Sequence, residues 1–227
     1  MIVDNIKRAR ANVERACARV GRAAEDVTII AVTKTHGADV VNAVIDAGIR
    51  DIGENRIQEF LTKEPGVEHS CRWHLIGTLQ SNKATKAIGK FEIFHAVDRM
   101  KIAETLSRLG TESDLTTRVL LEVNTSGEAS KHGFAPEETP EAAARIGELP
   151  GLKLDGLMTL GPLTENQTAI RRSFQSLFRL REKIETSLGR PLDHLSMGMS
   201  NDFEIAVEEG ATLIRLGRVL LGERQPR

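Results

Sequence analysis

A lysine closes the apolar run in TIIAVTKTH, residues 28–36. Lys34 carries a primary amine. Partial burial and a nearby cation would both raise the neutral fraction of that amine, the form that attacks a carbonyl to make an imine. A lysine at the end of such a run is otherwise a solvated tip, so its meaning depends on what lies near it. Two later segments have the residues for an anion. SMGMSND, residues 196–202, places Gly198, where the backbone can bend close to a ligand, ahead of Ser200 and Asn201. Their amides would point outward from the N-terminus of a following helix. RLGR, residues 215–218, offers Arg215, Gly217 and Arg218. Charge-assisted bonds from such groups to phosphate are worth roughly 1.5–3 kcal/mol each. Taken alone, either segment reads equally well as a helix cap with a surface arginine.

The elements that must position these residues follow from periodicity. Eight short apolar runs, at 28–33, 50–53, 72–77, 91–97, 118–123, 153–160, 192–197 and 212–216, read as strands. Helical patterns lie between them, including Val40, Val41, Val44 and Ile45 before Gly48, and Ile102, Leu106 and Leu109 before Gly110. A further pattern at Ala84, Ala87 and Ile88 reads as helix. The opening residues 4–20 form an amphipathic helix with Asp4 as its expected N-cap and Gly21 as its stop. Pro136 suits a first helical turn, TENQ from Thr164 to Gln167 reads as a capping box, and NDFE from Asn201 repeats that device. Strands apolar on both faces, alternating with helices, predict parallel pairing with the helices outside.

Eight such units predict a closed (β/α)8 barrel in a single domain, residues 1–227. The usual barrel has about 250 residues, so the opening helix is expected to cover the place of a final one. A doubly wound open sheet is the structural rival. In a barrel the working face lies at the C-terminal ends of the strands, with phosphate commonly held by the loops after strands seven and eight. Those loops are SMGMSND and RLGR, and Lys34 ends strand one. The expectation is an amine across the barrel mouth from a phosphate grip. An aldehyde and a phosphate on one ring describe pyridoxal 5'-phosphate, PLP.

Longer stretches carry a resemblance. AVTKTH, IGENRIQE, WHLIGTLQSNK, VLLEVNTSGEASKHGF, LDGLMTLGP, LSMGMSNDFEIAVEEGATLIRLGR and LLGER, in this order from about residue 27 to 224, closely resemble the pyridoxal phosphate homeostasis proteins, the YggS and PROSC family. The resemblance implies a TIM barrel of the type III PLP fold, like the N-terminal domain of alanine racemase, holding PLP as a Schiff base. It makes Lys34 the imine lysine and brings Asn55 to the phenolic side of the ring. Ser200, Gly217 and Arg218 would contact phosphate through backbone amides. Arg215 would lie near phosphate or ring, Ser196 would line the pocket, His74 would shape the mouth and Lys131 would reach over it. Many relatives have Thr or Ser where this chain has Arg218, so a hydroxyl contact gives way to a guanidinium. The implied role is a PLP carrier in the cell, without robust catalysis, supplying apo PLP-dependent enzymes.

The rival from another class is a PLP-dependent amino-acid racemase. That chemistry needs two bases on opposite faces of the substrate, and in alanine racemases the second is a tyrosine from an added β domain. This chain has no tyrosine and ends soon after its eighth strand, which leaves His36, His74 or another lysine as replacements. A metal at His69, Cys71 and His74 is disfavoured, because on an extended segment positions 69 and 71 face away from 74. The basic run SNKATKAIGK reads as a solvated helix face. With 4% aromatic residues and a net charge of -1, the chain lacks the field expected of a nucleic-acid or membrane binder. Cys17 and Cys71 are expected to be reduced. The first twenty residues contain no unbroken apolar core, so neither a signal peptide nor a membrane span is read there. A cytoplasmic monomer is expected.

Overall fold

The computed structural model describes residues 1–128 and 130–222. Ala129 of the fifth-strand motif, and Glu223 and Arg224 of LLGER, lie outside the described residues. Eight strands, β1 (Thr28–Val32), β2 (Asp51–Glu54), β3 (Arg72–Leu75), β4 (Ile93–Val97), β5 (Thr117–Glu122), β6 (Leu152–Met158), β7 (His194–Ser196) and β8 (Leu213–Leu216), close in sequence order into a barrel. All neighbours pair in parallel, and β1 closes on β8 with Ala31 beside Leu216. The open-sheet alternative is thereby excluded.

Helices α1 (Ile2–Arg19), α2 (Ala38–Asp46), α3 (Ile57–Lys63), α4 (Met100–Glu112), α5 (Thr139–Gly147), α6 (Gln167–Leu188), α7 (Phe203–Glu208) and α8 (Arg218–Leu221) surround the sheet. The helix after β8 is a single turn. As expected from the chain's length, α1 packs beside it, and the buried Asn5 side chain donates to the carbonyl of Leu220 at 2.9 Å. Among the described residues no helix is long and apolar enough to cross a membrane.

Several helix starts differ from expectation, one of them because of a side-chain cap. The first helix begins at Ile2, which puts Asp4 inside its first turn rather than at the cap. Pro140, not Pro136, occupies the first turn of α5. In TENQ the cap is Asn166, whose side chain accepts from the amide of Ala169 at 3.1 Å, while Thr164 accepts from the amide of Asn166. The segment after β3 winds only as a 3-10 helix, Ser81–Lys86.

Two apolar clusters account for strands buried on both faces. The larger lies between sheet and helices, and a smaller one of Ile30, Ile93, Ala96, Leu120, Met158 and Leu213 fills part of the barrel interior. The rest of that interior is polar. His74, His95, Ser196 and Arg215 are all at most 3% exposed and hydrogen-bond to one another across the lumen.

Candidate functional site

A cavity of about 870 Å³ opens at the C-terminal ends of the strands, lined in part by Lys34, Asn55, Ser200, Arg215, Gly217 and Arg218. Two smaller cavities, of about 590 and 550 Å³, sit at the other end of the barrel.

Lys34 follows β1 in a tight turn and is half-buried. Its position is set by its neighbours. Thr33 before it is fully buried and donates its hydroxyl to Glu54 at 2.6 Å, while its carbonyl accepts from the Lys63 amine at 2.8 Å. Lys63 and Glu54 form a buried ion pair. Thr35 after it has a φ of 71°, a left-handed conformation unusual for a branched residue, and its amide donates to Glu59 at 3.1 Å. Lys34 is thus carried on a backbone pinned from β2 and α3.

Asn55 leaves β2 beside the exit of β3. A Cβ on Gly77 would lie 2.4 Å from the carbonyl oxygen of Asn55, so only glycine lets these two loops approach.

The loops after β7 and β8 are bonded together. The Ser200 hydroxyl accepts from the amide of Val219 at 3.3 Å, and the half-exposed loop end is crossed by Arg218, which donates to the side chain of Asn201 at 3.1 Å. Gly198, at a φ of 93°, sits where a Cβ would be 2.5 Å from that of Ala206. One expectation is corrected here. The helix α7 starts at Phe203 and runs only six residues, so Ser200 and Asn201 belong to the preceding loop and not to a helix N-terminus. A second correction concerns geometry. Lys34 was expected across the mouth from these loops, but β1 and β8 are hydrogen-bonded neighbours, so amine and loop are side by side.

Arg215 forms the floor. It is 3% exposed and donates to the Ser196 hydroxyl at 2.6 Å and to the carbonyl of Thr159 at 2.9 Å. Burial pulls its guanidinium down to about 10, against the opposing influence of Asp202 and Glu122. Ser196 lies beneath this floor instead of on the cavity wall, and so does His74, which bonds to Asp51 and His95 in the lumen. Both side chains turn into the barrel lumen and are bonded there, Ser196 to Arg215 and His95, and His74 to His95 and Asp51.

His69 pairs with Asp46 at the surface, so it does not converge with His74, and Cys71 has its thiol pushed up to about 11 by burial. His36 is absent from the cavity wall. Lys131 does reach across, bonding to the carbonyl of Gly161 at 2.6 Å and to Glu128 at 2.9 Å, which ties the loop after β5 to the exit of β6.

Three residues of the site were not singled out in the sequence. Glu122 is 4% exposed, lines the cavity and has one carboxyl oxygen without a hydrogen-bond partner. Burial, then Asp98, push its carboxyl above the usual range, and Arg215 and His132 partly offset this. A charge inside VLLEV was the available signal. Glu54 and Lys63 escaped notice because each is ordinary in sequence and becomes informative only as a buried pair.

The chain is 42% identical to the pyridoxal phosphate homeostasis protein of Pseudomonas aeruginosa over 98% of its own length and 96% of the relative's. It is 38% identical to that of Aquifex aeolicus, over 98% of both chains. The chain belongs to the pyridoxal phosphate homeostasis protein family. The model of the alanine racemase N-terminal domain also matches it, from residue 5 to 225. Among solved structures, PipY of Synechococcus elongatus with PLP bound superposes with a TM-score of 0.82 at 32% identity, covering 93% of this chain and all of that one. An alanine racemase of Clostridium difficile superposes at 0.78 with 15% identity, covering 98% of this chain and 57% of the racemase, a likeness of fold alone.

Proposed function

We propose that this chain binds PLP in the mouth cavity and serves PLP homeostasis in the cytoplasm as a reversible holder that supplies apo-enzymes, without robust catalysis. One observation carries this reading: the order of groups around the mouth. On the PLP ring the phosphate arm, the aldehyde and the phenolic hydroxyl stand on three consecutive carbons. Around the mouth the β8, β1 and β2 exits are likewise consecutive, bearing Gly217 and Arg218, then Lys34, then Asn55. Neighbouring strands therefore suit this ligand better than the opposed arrangement expected from sequence. The homeostasis proteins above and the PLP-bound PipY support the same ligand.

PLP supplies an aldehyde that a primary amine can take up and release. The chain supplies the rest. The pinned turn fixes the backbone that carries the Lys34 amine, and the Ser200, Gly217 and Arg218 segment gives loop amides and a guanidinium to the phosphate. Arg215 holds a fixed positive charge under the ring, Asn55 offers a carboxamide to the phenolic oxygen, and the Lys131 tether limits the opening through which the ligand leaves.

Glu122 gives the racemase reading a structural foothold, because β5 stands four strands from β1 and Glu122 lines the cavity. A racemase would exchange the Cα hydrogen of alanine or another amino acid for solvent deuterium at a catalytic rate. The holder reading expects no such exchange from the PLP-loaded protein. It also expects Lys34→Ala to remain folded by circular dichroism while losing the visible imine band; a variant that kept the band would overturn the assignment of Lys34.

A further inference from the structure

Beneath the cavity floor runs a chain of buried polar side chains. Arg215 Nη1 reaches Ser196 Oγ at 2.6 Å, Ser196 Oγ lies 2.8 Å from His95 Nδ1, His95 Nε2 lies 3.1 Å from His74 Nδ1, and His74 Nε2 lies 3.1 Å from Asp51 Oδ1. At its far end, near the N-terminal edge of the barrel, Asp51 is gripped by Arg72 through both carboxyl oxygens, at 2.7 and 2.6 Å. His95, His74 and Asp51 lie outside the cavity wall and are used by neither the phosphate loops nor the imine lysine.

With both rings neutral, the ends of the chain determine the direction of every hydrogen in it. Arginine can only donate and an ionised carboxylate can only accept. The Asp51 carboxyl is held below the usual range by its bonds to His74 and Arg72, which outweigh its burial. His74 must therefore donate from Nε2, and whenever its ring is neutral it accepts at Nδ1. That makes His95 donate from Nε2 and accept at Nδ1. Ser196 then gives its hydroxyl hydrogen to His95 and turns its oxygen lone pairs to Arg215. Burial keeps His95 neutral, and the other groups acting on it, His74, Arg215 and His194, push the same way. No other assignment with neutral rings leaves every contact a hydrogen bond.

We propose that His95 is a positioning residue for the cavity floor: backed by His74 and Asp51, it fixes the Ser196 hydroxyl so that its oxygen faces Arg215 and holds that guanidinium in place for PLP. The inference rests on the PLP reading given above. Without the acceptor at His95, the Ser196 hydrogen is free to swing toward Arg215, where two donors repel and the guanidinium loses one of its two anchors.

Two measurements test this. On the protein alone, nitrogen-15 NMR of the imidazoles should find His74 and His95 neutral near pH 7, each protonated at Nε2; a proton on Nδ1 of His95 would overturn the proposal. On the protein with added PLP, the imine band reports the dissociation constant. His95→Gln, whose longer amide reaches His74 but not Ser196, should raise that constant ~10-fold, as should Ser196→Ala. The double variant should be no weaker than Ser196→Ala alone, because both changes remove the same anchor. His95→Asn, which returns an oxygen acceptor to the Nδ1 position, should restore binding to within ~3-fold of the parent. A merely structural role predicts additive losses of ~100-fold in the double variant and no rescue by asparagine, which would contradict the proposal. If the parent protein takes up no PLP, the ligand reading fails by itself, and the NMR result separately decides whether the chain is wired as described.

Discussion

At the scale of single residues, the groups around the cavity divide into those that hold position and those that carry unrelieved cost. Thr33 and Lys63 belong to the first kind and pin the backbone that carries Lys34, while Glu54 is of both kinds, binding each of them through one carboxyl oxygen and leaving the other buried without a partner. Glu122 belongs to the second, with a buried carboxyl oxygen that lacks a partner. Its carboxyl is pushed up in the folded protein, so the folded state keeps a proton that the unfolded chain releases at about pH 4.3. Stability is lost as pH rises from that value through the raised folded one, and the loss persists at neutral pH. Glu122→Gln should therefore raise the melting temperature of the PLP-free protein at pH 7, with the gain vanishing below about pH 4. A gain that grew toward acid would show that Glu122 is held as an anion instead. The site residues legible in sequence were those with unusual chemistry at strand ends: Lys34, Arg215, Gly217 and Arg218. Residues that act through partners were less legible, because His74, His95, Asp51 and Ser196 are distant in sequence and meet only once the barrel closes.

At the scale of elements, strands were easier to read than helix ends. Parallel strands buried on both faces leave unbroken apolar runs, and all eight runs became strands, although most are shorter than expected. A helix start can depend on one hydrogen bond that periodicity does not report, which is why Asn166 displaced Thr164 as the cap of α6. Asn166→Ala should cost about 1 kcal/mol, read as a lower midpoint in urea. The close approach of strand exits was hidden as well. Gly77→Ala would force β3's exit away from Asn55, and it should speed PLP dissociation measured by stopped-flow absorbance. An unchanged rate would mean that Asn55 contributes nothing at the phenolic oxygen.

At the scale of the whole molecule, closure of β8 onto β1 is what makes the site. It brings residues 34 and 217 together from opposite ends of the chain and corrects the expectation that they face each other across the mouth. The barrel itself was legible from counting its units, and α1 takes the outer position beside the single turn of α8. The strand count did not say which side chains thread the interior, and there a polar chain replaces part of the apolar packing usual in such barrels. The central claim is that a single small molecule is gripped at consecutive strand exits, with its aldehyde on the first. Borohydride reduction of the PLP-loaded protein, followed by peptide mapping by mass spectrometry, tests this most directly. The account predicts one phosphopyridoxyl group on the peptide containing Lys34; labelling of Lys131 or Lys63 in its place, with Lys34 unmodified, would contradict it.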